Sequence, residues 1–366
     1  DILHVHNPTL GKNRFLLDII RAVRETGVRV LLQIHDFAED GRPENYRPEA
    51  SWPADCHYAV LNARDHRILL QAGFAEEGLH LLPNPVRPLG VPGPEGTVPS
   101  GDRHTFLYPV RAIRRKNIGE AVLLSLFLPR DDHVGVTLEP TGSLDVQSCL
   151  RWRSLVRAHN LRVRFGVGVD RDFSEVLGRA RSMITTSIKE GFGFAFLEAW
   201  TAGLMLLGRR IPGICDDFVE SGVRLSHLYE RLDIPLSFID LKRFRDQWRC
   251  CFRRRMERYG MPHHDSLMDG LFERLIREKL VDFGLLSDTL QGSVVTRLAG
   301  DRRARSVVLD LNPRLENINC FETMPGLVEK NREVVLREYS PEKYGRRLLD
   351  LYGHVLDRDV RHAIDR

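Results

Sequence analysis

The segments DILHVHN, RFLLDIIRAVRETG and VRVLLQIHD follow one another within the first 36 residues, with very short joins. The first and third are apolar runs rich in Val, Leu and Ile. The second places its apolar residues at helical spacing and stops at Gly27, a residue suited to a helix C-terminus. Strand, helix and strand joined this tightly demand a crossover connection, hence parallel strands in a sheet covered on both faces.

The rhythm continues with HYAVLNA as a strand, ARDHRILLQAGF as a helix and GLHLLPNPV as a strand leaving through two prolines. Residues 87–102, RPLGVPGPEGTVPSGD, then lose all apolar periodicity and read as an interdomain linker. Beyond them the alternation resumes: TFLYPV, a helix over 117–128, HVGVTLEP, a helix over 145–159, LRVRFGVGV, a helix over 172–180 and SMITTS. Two α/β domains, 1–90 and 103–335, are therefore expected to face each other across a cleft, with ligands at the carboxyl ends of the strands. Residues 222–335 break the rhythm. Charge-rich segments such as LKRFRDQW and LMDGLFERLIREKL show no strands between them, so a mostly helical insertion is expected there. Residues 336–366 carry SPEKYGRRLLDLYGHVL, with Pro341 at the first helical position and Leu348, Leu349, Tyr352 and Val355 assigned to one apolar face.

Composition excludes several classes. The 54 basic and 50 acidic side chains leave a net charge of +4, which favours neither nucleic acid nor an anionic surface. The basic stretch RCCFRRRMERYG has no accompanying recognition module and reads as a solvated helix face. Six cysteines show no C-x-x-C, and Cys250, Cys251, His263 and His264 make a poor tetrahedral template, so no metal is expected. No apolar run is long enough to cross a membrane, and a cytoplasmic location follows, with attachment to the inner membrane face left open.

The chemistry concentrates in KEGFGFAFLEAW, residues 189–200. It follows the strand SMITTS, so Glu190 belongs on a loop at a strand's carboxyl end. Gly191 and Gly193 let backbone approach a ligand, and a helix starting near Phe194 turns its positive end toward the same place. Glu198 lies about one turn into that helix. Two carboxylates flanking exposed amides suit sugar hydroxyls on either side of a phosphate. A helix-capping Glu190 with a surface Glu198 is the alternative. At the end of TFLYPV, Arg111 and Lys116 could hold a diphosphate and stabilise charge on a departing phosphate. Basic residues merely opening a helix are the alternative there.

Residues 104–221, with R-x4-K at Arg111/Lys116, E-x7-E at Glu190/Glu198 and the following EAWTAGLMLLGRRIPG, resemble the nucleotide-sugar domain of family four retaining glycosyltransferases of GT-B fold. HVHN, QIHD, VLNA and LLPNPV resemble that family's acceptor domain, and LLDLY its closing helix, which returns to the first domain. The resemblance implies two Rossmann-like domains and transfer of a sugar, with retention, from a UDP-, GDP- or ADP-sugar to a hydroxyl acceptor. Arg111 and Lys116 would hold the diphosphate, Glu190 the transferred sugar and Glu198 the ribose. Gly191, Phe192, Gly193 and Phe194 would line the donor, the last three through backbone amides. His35 would face the donor sugar, unless it only caps its strand. No divalent metal or cofactor is implied. The family's first βα unit has no counterpart before DILHVHN, which implies a fragment or a short form. Val110 stands where the family often has glycine.

HNPTLGKN offers Asn7, Lys12 and Asn13 on the acceptor side, and Lys12 favours an anionic acceptor, either small or lipid-linked. Two other functions remain open: a nucleotide-sugar-binding scaffold without catalysis, and an epimerase or phosphorylase on the same fold.

Overall fold

The computed structural model describes residues 1–11, 13–40, 43–47, 50–90, 103–320, 324 and 326–364. The chain enters as β1 (Ile2–His6), α1 (Leu16–Glu25), β2 (Arg29–Ile34), β3 (His57–Val60), α2 (Ala63–Gln71) and β4 (Leu79–Leu81). The four strands are parallel and lie in the order β1-β2-β3-β4. Ile20 of α1 and Leu69 of α2 pack with Leu32 and Tyr58 on one face of this sheet. Asn62 starts α2 by accepting the Asp65 N–H, a standard side-chain cap.

The second half runs β5 (Thr105–Arg111), α3 (Ile118–Leu124), β6 (His133–Leu138), α4 (Ser143–Ala158), β7 (Val163–Phe165), α5 (Phe173–Gly178), β8 (Ala180–Thr185), α6 (Ala195–Thr201), β9 (Leu206–Gly208) and α7 (Cys215–Glu220). Its five parallel strands follow the order β7-β6-β5-β8-β9. The chain thus builds outward from β5 in one direction, then reverses to place β8 on its other side. A crevice opens where the order reverses, at the carboxyl ends of β5 and β8. Trp200, Phe196, Phe106 and Tyr108 fill the core beneath it.

The remainder comprises β10 (Asp233–Pro235), α8 (Leu241–Arg258), α9 (Asp265–Glu273), β11 (Ile276–Arg277), β12 (Leu280–Asp282), α10 (Asp288–Gly300), α11 (Arg302–Leu311), α12 (Asn317–Cys320), α13 (Leu327–Glu338) and α14 (Pro341–Asp357). Helices dominate it, yet the expectation of no strands fails. β11 and β12, between α9 and α10 in the chain, join β10 in an antiparallel sheet of order β10-β12-β11. LMDGLFERLIREKL is helical only as far as Glu273. Glu278 and Lys279 take left-handed φ values of 50° and 62°, and they turn the chain into a two-residue hairpin that helix-forming residues conceal.

Ser340 caps α14 by accepting the Lys343 N–H, with Pro341 at its first turn. The helix lies on the other face of the N-terminal sheet, where Leu351 and Val355 meet Leu31, Ala59 and Leu82. The expected apolar face needs one correction: Leu349 is 69% exposed, and Leu351 takes the buried position. Of the expected linker, residues 91–102 lie outside the described residues.

The two sheets present their carboxyl ends to each other. Asn62, just after β3, donates to the Gly191 carbonyl at 3.2 Å, and the Ala63 N–H donates to Asp217 at 2.7 Å. Lys189 pairs with Asp40 at 2.7 Å. The loop after β8 is therefore the seam between the halves.

Candidate active site

The carboxyl end of β5 is built to hold one backbone position. After Arg111 the chain makes a single tight turn over Arg114–Lys116, and Asn117 ends it with φ of 51°. The Lys116 carbonyl accepts from the Tyr108 hydroxyl at 2.7 Å and from Thr186 Oγ1 at 3.1 Å. Ser187 lies 3.0 Å from the same Tyr108 oxygen. Tyr108 is wholly buried, and burial pushes its phenol well up, so it remains a neutral donor. The Ile188 N–H donates to the Arg115 carbonyl at 3.0 Å, which ties the loop after β8 to the loop after β5.

With its backbone fixed this way, Lys116 extends into the crevice and pairs with Glu190. Both side chains are largely covered, at 16% and 10% exposure, so water screens the pair weakly. Arg115 approaches the other Glu190 oxygen at 3.5 Å. Glu198 projects from α6 into the same field. Burial raises its carboxyl above the ordinary value, and Lys116 partly opposes the rise. The Lys116 ammonium thus pairs with Glu190 and lends a weaker field to Glu198, so the three side chains singled out from sequence share one crevice.

Arg111 stands apart from this cluster. Its guanidinium donates to the Glu139 carbonyl, beyond the end of β6, at 2.6 Å. The second cation at Glu190 is Arg115, which the search for an R-x4-K spacing passes over although it belongs to the same RAIRRKN stretch.

In the glycine-aromatic turn, Phe192 is buried, and its ring stands edge-on to Phe218 at 5.5 Å between centroids. Its side chain anchors the loop, while Phe194 is 40% exposed. The backbone N–H groups of Phe192, Gly193 and Phe194 donate to no described residue, and α6 begins immediately after them. Gly193 adopts φ of 90°, open to glycine at little cost. Gly191 is required for a different reason. A Cβ there would stand 2.5 Å from the His35 carbonyl oxygen and 3.0 Å from Asp36 Oδ1, both on the opposite half.

His35 thus lies across the seam from Gly191, just past β2. Its Nε2 is 3.2 Å from His6 Nδ1, the His6 ring stacks on His4 at 4.2 Å, and His4 Nδ1 reaches the Tyr352 hydroxyl of α14 at 3.0 Å. Burial and the neighbouring His6 push the His35 imidazolium down, and burial with His6 brings His4 to about 4, so both rings are neutral at pH 7. Sequence reasoning singled out His35 and missed the file behind it. The alternation of His4 and His6 in one strand, with both on the same face, was the available signal.

Asn7 serves this loop directly: its side-chain oxygen accepts the His35 and Asp36 N–H groups at 3.3 and 3.2 Å. That oxygen is committed to holding His35. Lys12 lies outside the described residues. Among the described residues no group of three or more His, Cys, Asp or Glu could hold a metal ion, and no helix is long and apolar enough to cross a membrane.

No protein-family model matches the chain. A curated relative, mannosylglucosyl-3-phosphoglycerate synthase of Petrotoga mobilis, is 23% identical over 273 residues, covering 68% of this chain and 53% of the relative. The chain spans about half the length of that relative. Among solved structures, HepE of Anabaena in complex with UDP and glucose superposes with a TM-score of 0.56 at 11% identity, covering 96% of this chain and 77% of that one. Sucrose-phosphate synthase from Thermosynechococcus elongatus gives 0.53 at 15%, covering 97% and 73%. A glycosyltransferase from Rickettsia africae gives 0.53 at 12%, covering 98% and 77%. With two parallel sheets joined at their carboxyl ends, these likenesses show the fold to be the GT-B arrangement of glycosyltransferases.

Proposed function

We propose that the chain transfers a sugar, with retention of anomeric configuration, from a nucleoside diphosphate sugar to a hydroxyl acceptor. The observation that carries this reading is the Lys116–Glu190 pair in the crevice between β5 and β8, on the loop whose next residue, Gly191, packs against the His35 backbone of the other half. Lys116 holds the diphosphate with Arg115 beside it, and Arg111 joins them only by leaving the Glu139 carbonyl; Glu190 accepts from hydroxyls of the transferred sugar, and Glu198 accepts from the ribose. The free amides of Phe192, Gly193 and Phe194 face donor oxygens. In the reaction the bond from the anomeric carbon to the diphosphate oxygen breaks. The acceptor oxygen bonds to that carbon on the same face, and its proton passes to the departing phosphate. The cations stabilise the charge that develops there. His35, neutral at pH 7, offers a ring nitrogen to the sugar without adding charge.

The UDP complex of the Anabaena neighbour makes UDP-sugars the first donors to try, and the phosphorylated product in the Petrotoga relative's name supports an anionic acceptor. Calorimetry with UDP-, GDP- and ADP-sugars, paired with a transfer assay, tests the reading. Binding of one class together with transfer is expected. Absence of binding at millimolar concentration overturns it, and binding without transfer turns the chain into a nucleotide-sugar-binding scaffold. Lys116→Met is expected to lower turnover by about 10²–10³.

A further inference from the structure

A large cavity lies away from the Lys116–Glu190 contact. It occupies the N-terminal half, measures about 710 Å³, and falls within the range of roughly 300–1,000 Å³ usual for small-molecule sites. Its lining extends from Thr9 and Asp40, at the carboxyl end of the sheet, to Phe74 and Ile364 near the opposite end. Between these ends the walls are Leu16 and Leu17 of α1, Ile34, Trp52, Tyr58 and Leu69. The Tyr58 hydroxyl is already committed to the Pro53 carbonyl at 2.8 Å, so that residue turns only its ring to the space.

Among the described residues, the polar part of the lining is unevenly charged. Arg14, Arg21, Arg47 and Arg64 contribute to it against Asp18 and Asp40. Arg21 is held by Asp18 at 3.1 Å, and Arg64 by Asp40 at 2.8 Å. Asp40 is shared with Lys189, the residue beside Glu190. Arg47 has no acidic partner among the described residues, and its guanidinium stands next to Gly11 on the loop after β1. Arg14 lies over the Phe15 ring at 4.4 Å, likewise without a described carboxylate. An apolar chamber with surplus positive charge at its rim is complementary to a molecule with an apolar body and a negative head. A bare phosphorylated sugar acid would leave the chamber unfilled.

We propose that this cavity binds an anionic amphiphile, an apolar alkyl or isoprenyl chain ending in a phosphate head group that carries a free hydroxyl, and that this hydroxyl is the acceptor; octyl and decyl phosphate stand in for its chain and charge. The acceptor role rests on the transfer reading above, whereas the ligand class rests on the cavity alone. The apolar body lies between α1 and α2, and the head sits at Arg47. Asp40 and Lys189 connect that rim to the loop of Glu190.

Displacement of bound 8-anilinonaphthalene-1-sulfonate by octyl and decyl phosphate, both below micelle formation, tests the ligand class on the whole chain. Each buried methylene should strengthen binding up to roughly fourfold, so decyl phosphate should exceed octyl phosphate by about tenfold. Leu17→Trp, which fills the chamber, should weaken decyl phosphate tenfold or more. Arg47→Gln should erase the preference for decyl phosphate over decyltrimethylammonium. Both variants should bind UDP-glucose as the wild type does. Displacement by phosphatidylglycerol vesicles as well would place the source of the ligand in a bilayer, and displacement by free decyl phosphate alone would place it in solution. The proposal is overturned if decyl phosphate fails to displace the probe at about 0.1 mM, if Leu17→Trp binds it unchanged, or if 3-phosphoglycerate competes equally well. Intact binding without any transfer would remove the acceptor role together with the transferase reading and leave the ligand class standing.

Discussion

Gly191→Ala isolates the contact between the two halves from the stability of either. The residue does not need a left-handed backbone, so the added methyl brings no conformational cost of its own. The three atoms nearest to it all belong to the N-terminal half: the His35 carbonyl oxygen at 2.5 Å, Asp36 Oδ1 at 3.0 Å and Asp36 Cγ at 3.5 Å. A backbone carbonyl cannot swing aside as a side chain can, so the seam must open by roughly 0.5–1 Å. Overpacking of this kind costs about 1–3 kcal/mol. The Asn62 hydrogen bond to the Gly191 carbonyl, weakened by the same movement, is worth about 0.5–1.5 kcal/mol. Together about 2–4 kcal/mol opposes the closed arrangement, which lowers kcat/KM for transfer about 30-fold to 1,000-fold. Thermal melting should move little, because nothing inside either half is disturbed. A variant with kcat/KM within threefold of wild type would show that the seam at His35 plays no part in turnover.

Three further outcomes follow from buried charge. Arg209 is 4% exposed and pairs with Glu120 of α3 and Asp282 of β12, with Tyr229 also donating to Glu120. Arg209→Met strands two acids and should cost about 3–5 kcal/mol in urea unfolding; a loss below about 1 kcal/mol would refute the role of Arg209 in joining the insertion to the second sheet. Burial raises the Glu198 carboxyl in the folded chain, so the unfolded chain loses its proton first as pH rises, and stability declines from the ordinary value of 4.5 up to the folded one. Glu198→Gln should therefore melt higher at pH 7 while transfer falls, and an unchanged or lower melting temperature would contradict the sign. His4 and His80 are both depressed to about 4 by burial and by neighbouring imidazoles, so the unfolded chain takes up protons first on acidification. Stability should fall as pH drops from about 6.5 toward 4, and His80→Gln should flatten that slope. A melting temperature constant from pH 7 to 4.5 would refute it.

The βα rhythm was legible because strands buried on both faces are continuous apolar runs, and tight joins leave parallel crossover as the consistent choice. The positions of Glu190 and Lys116 were legible because each closely follows the carboxyl end of an apolar strand run, and that of Glu198 because it falls in the helix that begins after the glycine-aromatic turn. The hairpin of β11 and β12 was hidden for the converse reason. Ile276–Asp282 is short, surrounded by helix-forming residues, and turns on Glu278-Lys279 instead of a glycine. Leu349 and Leu351 both fit a helical stripe, and only the sheet against which α14 packs decides between them. The Arg209 cluster could not be read at all, since Glu120 and Asp282 lie 89 and 73 positions away and no local period links them. Arg115 was hidden by adjacency: two neighbouring cations look equivalent until the turn at Asn117 sets their directions.

The Lys116–Glu190 pair also bears on how a donor enters. Under the proposed reading, a diphosphate and Glu190 are rivals for the same ammonium, and both are negative. Lys116 would then exchange one partner for the other on binding, and Glu190 would be released to accept from sugar hydroxyls. Glu190→Gln removes the rival while leaving the cation in place, held by the Tyr108 and Thr186 hydroxyls on its carbonyl. At about 6 Å and an effective dielectric of about 20, relief of the repulsion is worth up to about 3 kcal/mol, or up to about 100-fold. Affinity for UDP should therefore rise in this variant, by up to about 100-fold, even as sugar transfer falls. Calorimetry with UDP measures the first effect, and product formation from a UDP-sugar the second. If UDP binds more weakly to Glu190→Gln, then the carboxylate helps to assemble the phosphate site, and the exchange of partners at Lys116 is the wrong account of it.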